Sequence, residues 1–263
     1  MPLLRVDDVV VQFGGVTAVN HATFEVEQGT VTGLIGPNGA GKTTCFNVIT
    51  GLQAPTSGRV LLNGKNITKM PVHRRARHGM GRTFQRLEAF GSLTVADNIR
   101  VAHEIHGGLL EALRTFEGAG DKEVATLLER VGIAEYADER ADSVPTGTAR
   151  LLEVARALAC DPRLLLLDEP SSGLDEAETE AFGALLLELA DEGRTILMVE
   201  HDMDLVMRVC HDIHVLDFGS IIAQGTPAQI RANPAVQKAY LGYSDDADAD
   251  ETKTLSLREE VVL

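Results

Sequence analysis

The chain has 263 residues, 44% of them apolar and 24% charged, which excludes a disordered or fibrous protein and leaves room for one large domain or two joined lobes. Its 24 Lys and Arg face 39 Asp and Glu, a formal charge of −15, which argues against a primary nucleic-acid binder or a polybasic lipid anchor. Any polyanion held here needs a local site that overrides the global field. Cys45, Cys160 and Cys210 lie far apart without paired spacing, so neither a disulfide framework nor a zinc site is expected, and a reducing cytosol is the simple reading. Arg5, Asp7 and Asp8 interrupt the first ten residues, so no signal peptide is expected. No apolar run reaches the roughly 18 residues of a membrane span.

In chain order, branched apolar residues give strands around 9–11, 23–26 and 31–35, with Gln28 and Gly29 as a turn. The last of these runs into Gly36-Pro37-Asn38-Gly39-Ala40-Gly41-Lys42-Thr43-Thr44 and then a helical stretch ending at Gly51. From Thr94 to about Val131 the period turns helical, opened by Thr94 and Asp97, with Gly107-Gly108 and Gly118-Ala119-Gly120 as breakers. Strand signals resume at Leu164, so residues 86–160 are expected to form a helical lobe inserted into a parallel sheet. Beyond it the pattern alternates: strand 164–167, helix from Asp175-x-x-Glu178 to Gly193, strand 195–199, helix 202–209, strand 213–216. That series predicts an α/β fold. Two short helices are expected at Thr226-Pro227 and Asn233-Pro234, because proline at the first helical position sacrifices no needed donor. Residues 244–263 hold seven acids and two bases, −5 of the −15, and read as a solvated acidic tail beyond a domain of 1–243.

Glycines at 36 and 41 followed by Lys42 and Thr43 between a strand and a helix fit the phosphate-loop pattern. Its backbone N–H groups converge on phosphates at a helix N-terminus. Lys42 is expected to reach the β and γ phosphates, Thr43 to give its hydroxyl to Mg²⁺ and Thr44 to lie beside the α phosphate. The second signal is Leu164-Leu165-Leu166-Leu167-Asp168-Glu169, a buried strand ending in two carboxylates where parallel sheets bind ligands. Asp168 is expected to hold Mg²⁺ through water, and Glu169 to be the general base for an attacking water.

These motifs, in this order across about residues 3–242, resemble the ATPase subunits of ABC transporters. The resemblance implies a P-loop NTPase core with an N-terminal antiparallel β subdomain and an inserted helical subdomain, using ATP and Mg²⁺. It also implies roles for further residues. Gln85, in Arg82-Thr83-Phe84-Gln85, is similar to the Q-loop glutamine that touches Mg²⁺ and the water. Asp175, in Ser172-Gly173-Leu174-Asp175, resembles the D-loop aspartate, His201 the switch histidine, and Phe13 the aromatic that stacks on adenine. The family signature Leu-Ser-Gly-Gly-Gln, which caps the γ-phosphate bound by the opposite subunit, corresponds here to Val144-Pro145-Thr146-Gly147-Thr148. Only its second glycine remains, with Thr146 or Thr148 as possible replacements for the serine hydroxyl. His103 and His106, without carboxylate or thiolate company, are read as a polar face, and 73–78 as a solvated helix face.

Four stretches are more particular: 13–20, 79–85, 200–207, and Gly225-Thr226-Pro227 through Tyr240-Leu241-Gly242. They resemble ATPase subunits of branched-chain amino-acid importers, the LivG type. That resemblance implies a peripheral place on the cytoplasmic face of the cell membrane. The implied partners are a second ABC ATPase (a paralogue or a second copy), two transmembrane permeases and, indirectly, an extracytoplasmic solute-binding protein, with no nucleic acid. Alternatives are an importer ATPase for urea or amides, a nucleotide-binding regulatory subunit with little turnover, and a soluble ABC ATPase acting on DNA or ribosomes, which the charge opposes.

Overall fold

A computed structural model describes residues 2–83, 88–115 and 119–240, with the backbone alone at 106–115 and 119. Strands β1 (Pro2–Phe13) and β2 (Val16–Glu27) form a long hairpin, followed by β3 (Val31–Ile35) and helix α1 (Lys42–Thr50). Next come β4 (Ser57–Leu62), β5 (Lys65–Asn66), α2 (Val72–Arg77) and β6 (Met80–Arg82). Helices α3 (Val95–Thr115), α4 (Ala119–Arg130) and α5 (Thr146–Leu158) precede β7 (Leu164–Asp168). The chain continues through α6 (Glu176–Asp191), β8 (Thr195–Val199), α7 (Met203–Val209), β9 (Asp212–Asp217), β10 (Ser220–Gly225) and α8 (Pro227–Arg231). Residues 234–240 form a further helical stretch.

The strands divide into an antiparallel sheet, β2-β1-β4-β5, and a six-stranded sheet, β10-β9-β3-β8-β7-β6. In the second, β9, β3, β8, β7 and β6 pair in parallel and β10 turns back antiparallel on β9. Both of its faces are covered, which explains why its strands are apolar at every position rather than at alternate ones. On β7, Leu165 and Leu167 enter a core shared with α5, α6 and α7. Leu164 and Leu166 enter the other core, with Phe46 and Ile49 of α1 and Leu4, Val6 and Phe24 of the antiparallel sheet. Truncating any of these fully buried leucines to Ala is expected to cost about 2–5 kcal/mol.

Several expectations change. Gly107-Gly108 does not break the helix: α3 runs through both. Each glycine costs about 1 kcal/mol relative to Ala, which is less than the burial of the Val95 and Ile99 side chains in the core shared with α5 contributes. Nor is 73–78 wholly solvated, because Arg75 is 2% exposed. Its guanidinium donates to the carbonyls of Val48 and Ile49 at the end of α1, and to those of Met70 and Thr68. Strands β4, β5, β6 and β10 carried no usable signal. β5 and β6 have two and three residues, too short for a period, and β10 is half-buried nearly throughout. Gly118 and the 244–263 tail lie outside the described residues, as does the His106 side chain. Among the described residues no helix is long and apolar enough to cross a membrane.

Candidate functional site

The ends of four neighbouring strands meet at one edge of the parallel sheet. In spatial order they are β3, β8, β7 and β6, and they lead into the 36–44 loop, His201, Asp168-Glu169 and Thr83 respectively. Ligands bind at such carboxyl ends because the loops there are free to diverge while the strands fix their roots.

The 36–44 loop has a backbone that only glycine tolerates at two points. Gly36 has φ +152°, and a Cβ on it would stand 2.0 Å from the Leu216 carbonyl oxygen. Gly41, the N-cap of α1, has φ +104°, and its Cβ would stand 2.3 Å from the Ala18 carbonyl oxygen. The loop is also stitched to its neighbours, since Gly219 N–H donates to the Ala40 carbonyl and Asn20 N–H to the Gly219 carbonyl. Lys42 is 7% exposed, and its Nζ donates to the Gly36 and Pro37 carbonyls at 2.7 and 2.9 Å. Burial lowers the Lys42 pKa, and the Glu169 and Asp168 carboxylates pull it partly back.

Across the site, Glu169 Oε1 and His201 Nε2 are 2.9 Å apart. Glu169 adopts φ +51°, a left-handed conformation that costs a non-glycine residue about 1–2 kcal/mol. Its N–H donates to the Val199 carbonyl, so the strained residue is anchored to the end of β8. Asp168 is 2% exposed; burial pushes its carboxyl upward, and the Arg82 guanidinium at 3.2 Å pulls it back. A cavity of about 280 Å³ is lined by residues 38–44 together with Ala18, Glu169 and His201. A larger cleft of about 770 Å³, between Leu3, His78 and Arg194 at the opposite strand ends, contains none of these residues.

Other expected residues sit elsewhere or serve a second purpose. Phe13 ends β1, half exposed, and is outside that cavity lining; Ala18 of the same hairpin is inside it. Gln85 lies outside the described residues. Asp175 caps α6, accepting the Glu178 N–H at 2.8 Å while Glu178 accepts the Asp175 N–H. Pro145 caps α5 with no side-chain hydrogen bond. Thr148 is 3% exposed, so its hydroxyl faces the interior and the exposed hydroxyl at this helix end is that of Thr146. Gly147 is pressed against the 171–175 turn, where a Cβ on it would stand 2.9 Å from the Gly173 carbonyl oxygen.

Two residues were missed. Glu200, 4% exposed, accepts the Ser171 N–H at 2.8 Å and the His201 N–H at 3.0 Å, fastening the turn after β7 to the one after β8. The signal was a lone acid directly after a buried strand. Arg82 donates to Asp168 and to Asn47 and Thr50 on α1, and nothing in its own spacing announced those partners.

Comparison with known proteins places the chain in a family. The ABC transporter family model matches residues 19–172, and a model of the branched-chain amino acid ATP-binding cassette transporter matches 220–246. The chain is 43% identical to the high-affinity branched-chain amino acid transport ATP-binding protein BraF of Pseudomonas aeruginosa, over 92% of this chain and 98% of that one. It is 42% identical to LivG of Escherichia coli (strain K12), with the same coverage. Among solved structures, the ADP conformation of MJ1267, an ATP-binding cassette of an ABC transporter, superposes with a TM-score of 0.80 at 31% identity, covering 92% of this chain and 99% of that one. A glycine loop facing paired carboxylates, on a chain that matches this family along nearly its whole length, makes the protein an ATPase and a member of the ATP-binding cassettes of ABC transporters.

Proposed function

We propose that this cassette hydrolyses ATP to energise import of branched-chain amino acids or a related small polar solute. Its place is then peripheral, at the cytoplasmic face of the membrane, paired with a second cassette and two permeases and served by an extracytoplasmic binding protein. The observation that carries the hydrolytic part is the 2.9 Å contact between Glu169 and His201 beside the phosphate loop. The substrate class rests on the names of the relatives.

Residues Gly36, Pro37, Asn38, Gly39, Ala40, Gly41, Lys42, Thr43 and Thr44 form a loop that cradles the phosphates through the backbone N–H groups of its members other than Pro37 and through the Lys42 ammonium. Phe13 supplies an aromatic face to the base. Thr43, Asp168 and Gln85 offer only hard oxygen donors, a set that fits Mg²⁺; the ion, when bound, neutralises charge on the β and γ phosphates. Glu169 accepts the proton of the attacking water, and His201 holds that carboxylate and reaches toward the γ-phosphate. The positioned base is expected to contribute about 10²–10⁴ in rate. The helical lobe of 86–160 is the element that meets the permease, within a domain of 1–243, and 244–263 is an appended acidic tail. ATP favours the closed pair of cassettes, and its loss on hydrolysis releases them, which shifts the permeases only through the differential affinity of the two states.

Thr146, Gly147 and Asp175 face the partner's nucleotide in such a pair. Pro145 stands where the family has serine, and it has neither hydroxyl nor N–H to offer a phosphate. This observation favours a second reading in which the partner's ATP is held with little turnover while the site built on this chain's own loop stays active. The test is reconstitution of the chain with its paralogous cassette and permeases in vesicles, followed by leucine and urea uptake with ATP. Leucine uptake that Glu169→Gln abolishes supports the proposal. Urea uptake alone reassigns the substrate, and ATP binding without hydrolysis in any pairing overturns the hydrolytic reading.

A further inference from the structure

Arg82 ends β6, the outer strand of the parallel sheet, with a side chain only 9% exposed. Its guanidinium joins two elements that sequence order keeps far apart. One nitrogen, Nη1, donates to Asn47 Oδ1 at 2.8 Å and to Thr50 Oγ1 at 3.0 Å, both on α1. The other, Nη2, donates to Asp168 Oδ2 at 3.2 Å, engaging one of the two carboxylate oxygens. The guanidinium carbon also lies 5.8 Å from the ring centroid of Phe46. The following residue completes the grip, because Thr83 Oγ1 accepts the Asp168 N–H at 3.2 Å and Thr83 N–H donates to the Leu166 carbonyl.

Thr43, Asn47 and Thr50 are spaced by four and three residues on α1, so they share one face of the helix. Thr43 begins that face, and Arg82 is bound to its other two members. We propose that Arg82 is a positioning residue for the cation site: a rigid strut that fixes the Asp168 carboxylate relative to the Thr43 face of α1, so that the hydroxyl and the carboxylate would serve the same ion. The proposal rests on the reading that Thr43 and Asp168 hold Mg²⁺. A planar fork satisfies three acceptors in fixed directions, which a lysine ammonium on a flexible stem does not do. Hydrogen-bond partners of a metal carboxylate typically matter about 10- to 100-fold in metal affinity.

The experiment titrates Mg²⁺ into the purified full chain with a fluorescent ATP analogue, and separately measures binding of that analogue in EDTA. Arg82→Met is expected to raise the half-saturating Mg²⁺ concentration about 10- to 100-fold while changing affinity in EDTA less than about twofold. Asn47→Ala/Thr50→Ala, which frees the strut from α1 and keeps the cation, and Arg82→Lys are expected to move Mg²⁺ dependence in the same direction by less. Equal weakening with and without Mg²⁺ marks a merely structural role and overturns the proposal. So does an unchanged Mg²⁺ dependence in Arg82→Met or, should that variant fail to melt cooperatively, in both of the milder ones. Thr43→Ala and Asp168→Asn separate the two levels: if they leave Mg²⁺ dependence untouched the metal reading itself falls, whereas if they shift it and the Arg82 variants do not, only the strut does.

Discussion

His201 Nε2 lies 2.9 Å from Glu169 Oε1 although the two residues leave different strands, and Glu200 fastens their two turns through Ser171 and His201. This pair is a unit, so its members are expected to fail together. Glu169→Gln is expected to lower kcat about 10²–10⁴-fold with ATP affinity within about threefold, and His201→Ala to act in the same direction. The double variant is expected to be little worse than the poorer single, because groups acting on one step are not additive. Phosphate release and nucleotide binding measured on the same preparations check this, and multiplied losses in the double variant contradict it.

Two glycines of the 36–44 loop have different tolerances. Gly36→Ala places a Cβ only 2.0 Å from the Leu216 carbonyl oxygen, far inside contact distance, whereas a Cβ on Gly39, at φ +79°, has nothing within 4 Å. Gly36→Ala is expected to abolish measurable ATP binding and lower the melting temperature. Gly39→Ala is expected to cost only the left-handed backbone strain, about 1–2 kcal/mol, and to keep most affinity. Calorimetric ATP titrations of both variants read the contrast directly.

Arg75 is buried and donates to four carbonyls, two of them closing α1. Arg75→Met takes the guanidinium donor from the Ile49, Met70 and Thr68 carbonyls, while that of Val48 keeps the Gly51 N–H, and is expected to cost about 3 kcal/mol or more, since each unsatisfied buried group costs about 1–3 kcal/mol. Arg74 and Arg77, on the same short helix, are exposed, so their Ala variants are expected to stay within about 0.5 kcal/mol. Urea denaturation of the three proteins tests the difference.

His214 is 2% exposed, with Nε2 at 2.9 Å from the Glu25 carbonyl oxygen and 3.5 Å from an Asp212 oxygen. Burial holds its pKa below the usual 6.5, against the pull of the carbonyl and Asp212. A lowered histidine pKa means that, as pH falls below 6.5, the unfolded chain takes a proton that the folded one resists. Stability from this group is therefore intact at neutral pH and drains away on acidification. Relative to His214→Gln, which keeps a donor for Glu25, the wild type is expected to lose its advantage between pH 7 and pH 5. A constant difference in unfolding free energy across that range contradicts the prediction.

Restoring the family residues at Pro145 and Thr146 offers a gain-of-function test. A hydrogen bond to a charged group is worth about 1.5–3 kcal/mol, or about ten- to over a hundredfold in affinity. Pro145→Ser/Thr146→Gly is expected to raise ATP turnover of the isolated chain by about tenfold or more, while Thr148→Ala, at a buried site, lowers stability without that effect. Equal turnover in wild type and double variant removes the signature as the limiting feature.

Local chemistry made much of this protein legible along the chain. The 36–44 loop was legible because its tight glycine turns and the lysine that folds back on them are neighbours in the chain. The place of Asp168 and Glu169 was legible because an unbroken apolar run marks a buried strand and two acids mark its end, and the α6 cap because Asp175 and Glu178 satisfy each other across one helical turn. What depended on elements meeting across the fold was not legible. The sequence presents β3, β6, β7 and β8 in that order, but the sheet places β8 between β3 and β7 and sets β6 outermost, and that order alone brings His201 onto Glu169 and Arg82 onto Asp168. Arg75 reads like its basic neighbours until α1 ends above it, and Thr148 reads like Thr146 until the helix turns one inward and the other out. Residue type and spacing determine which chemistry is present, because those requirements act through a few adjacent bonds. Packing decides which groups touch, because burial and strand order arise from contacts between residues tens to hundreds of positions apart.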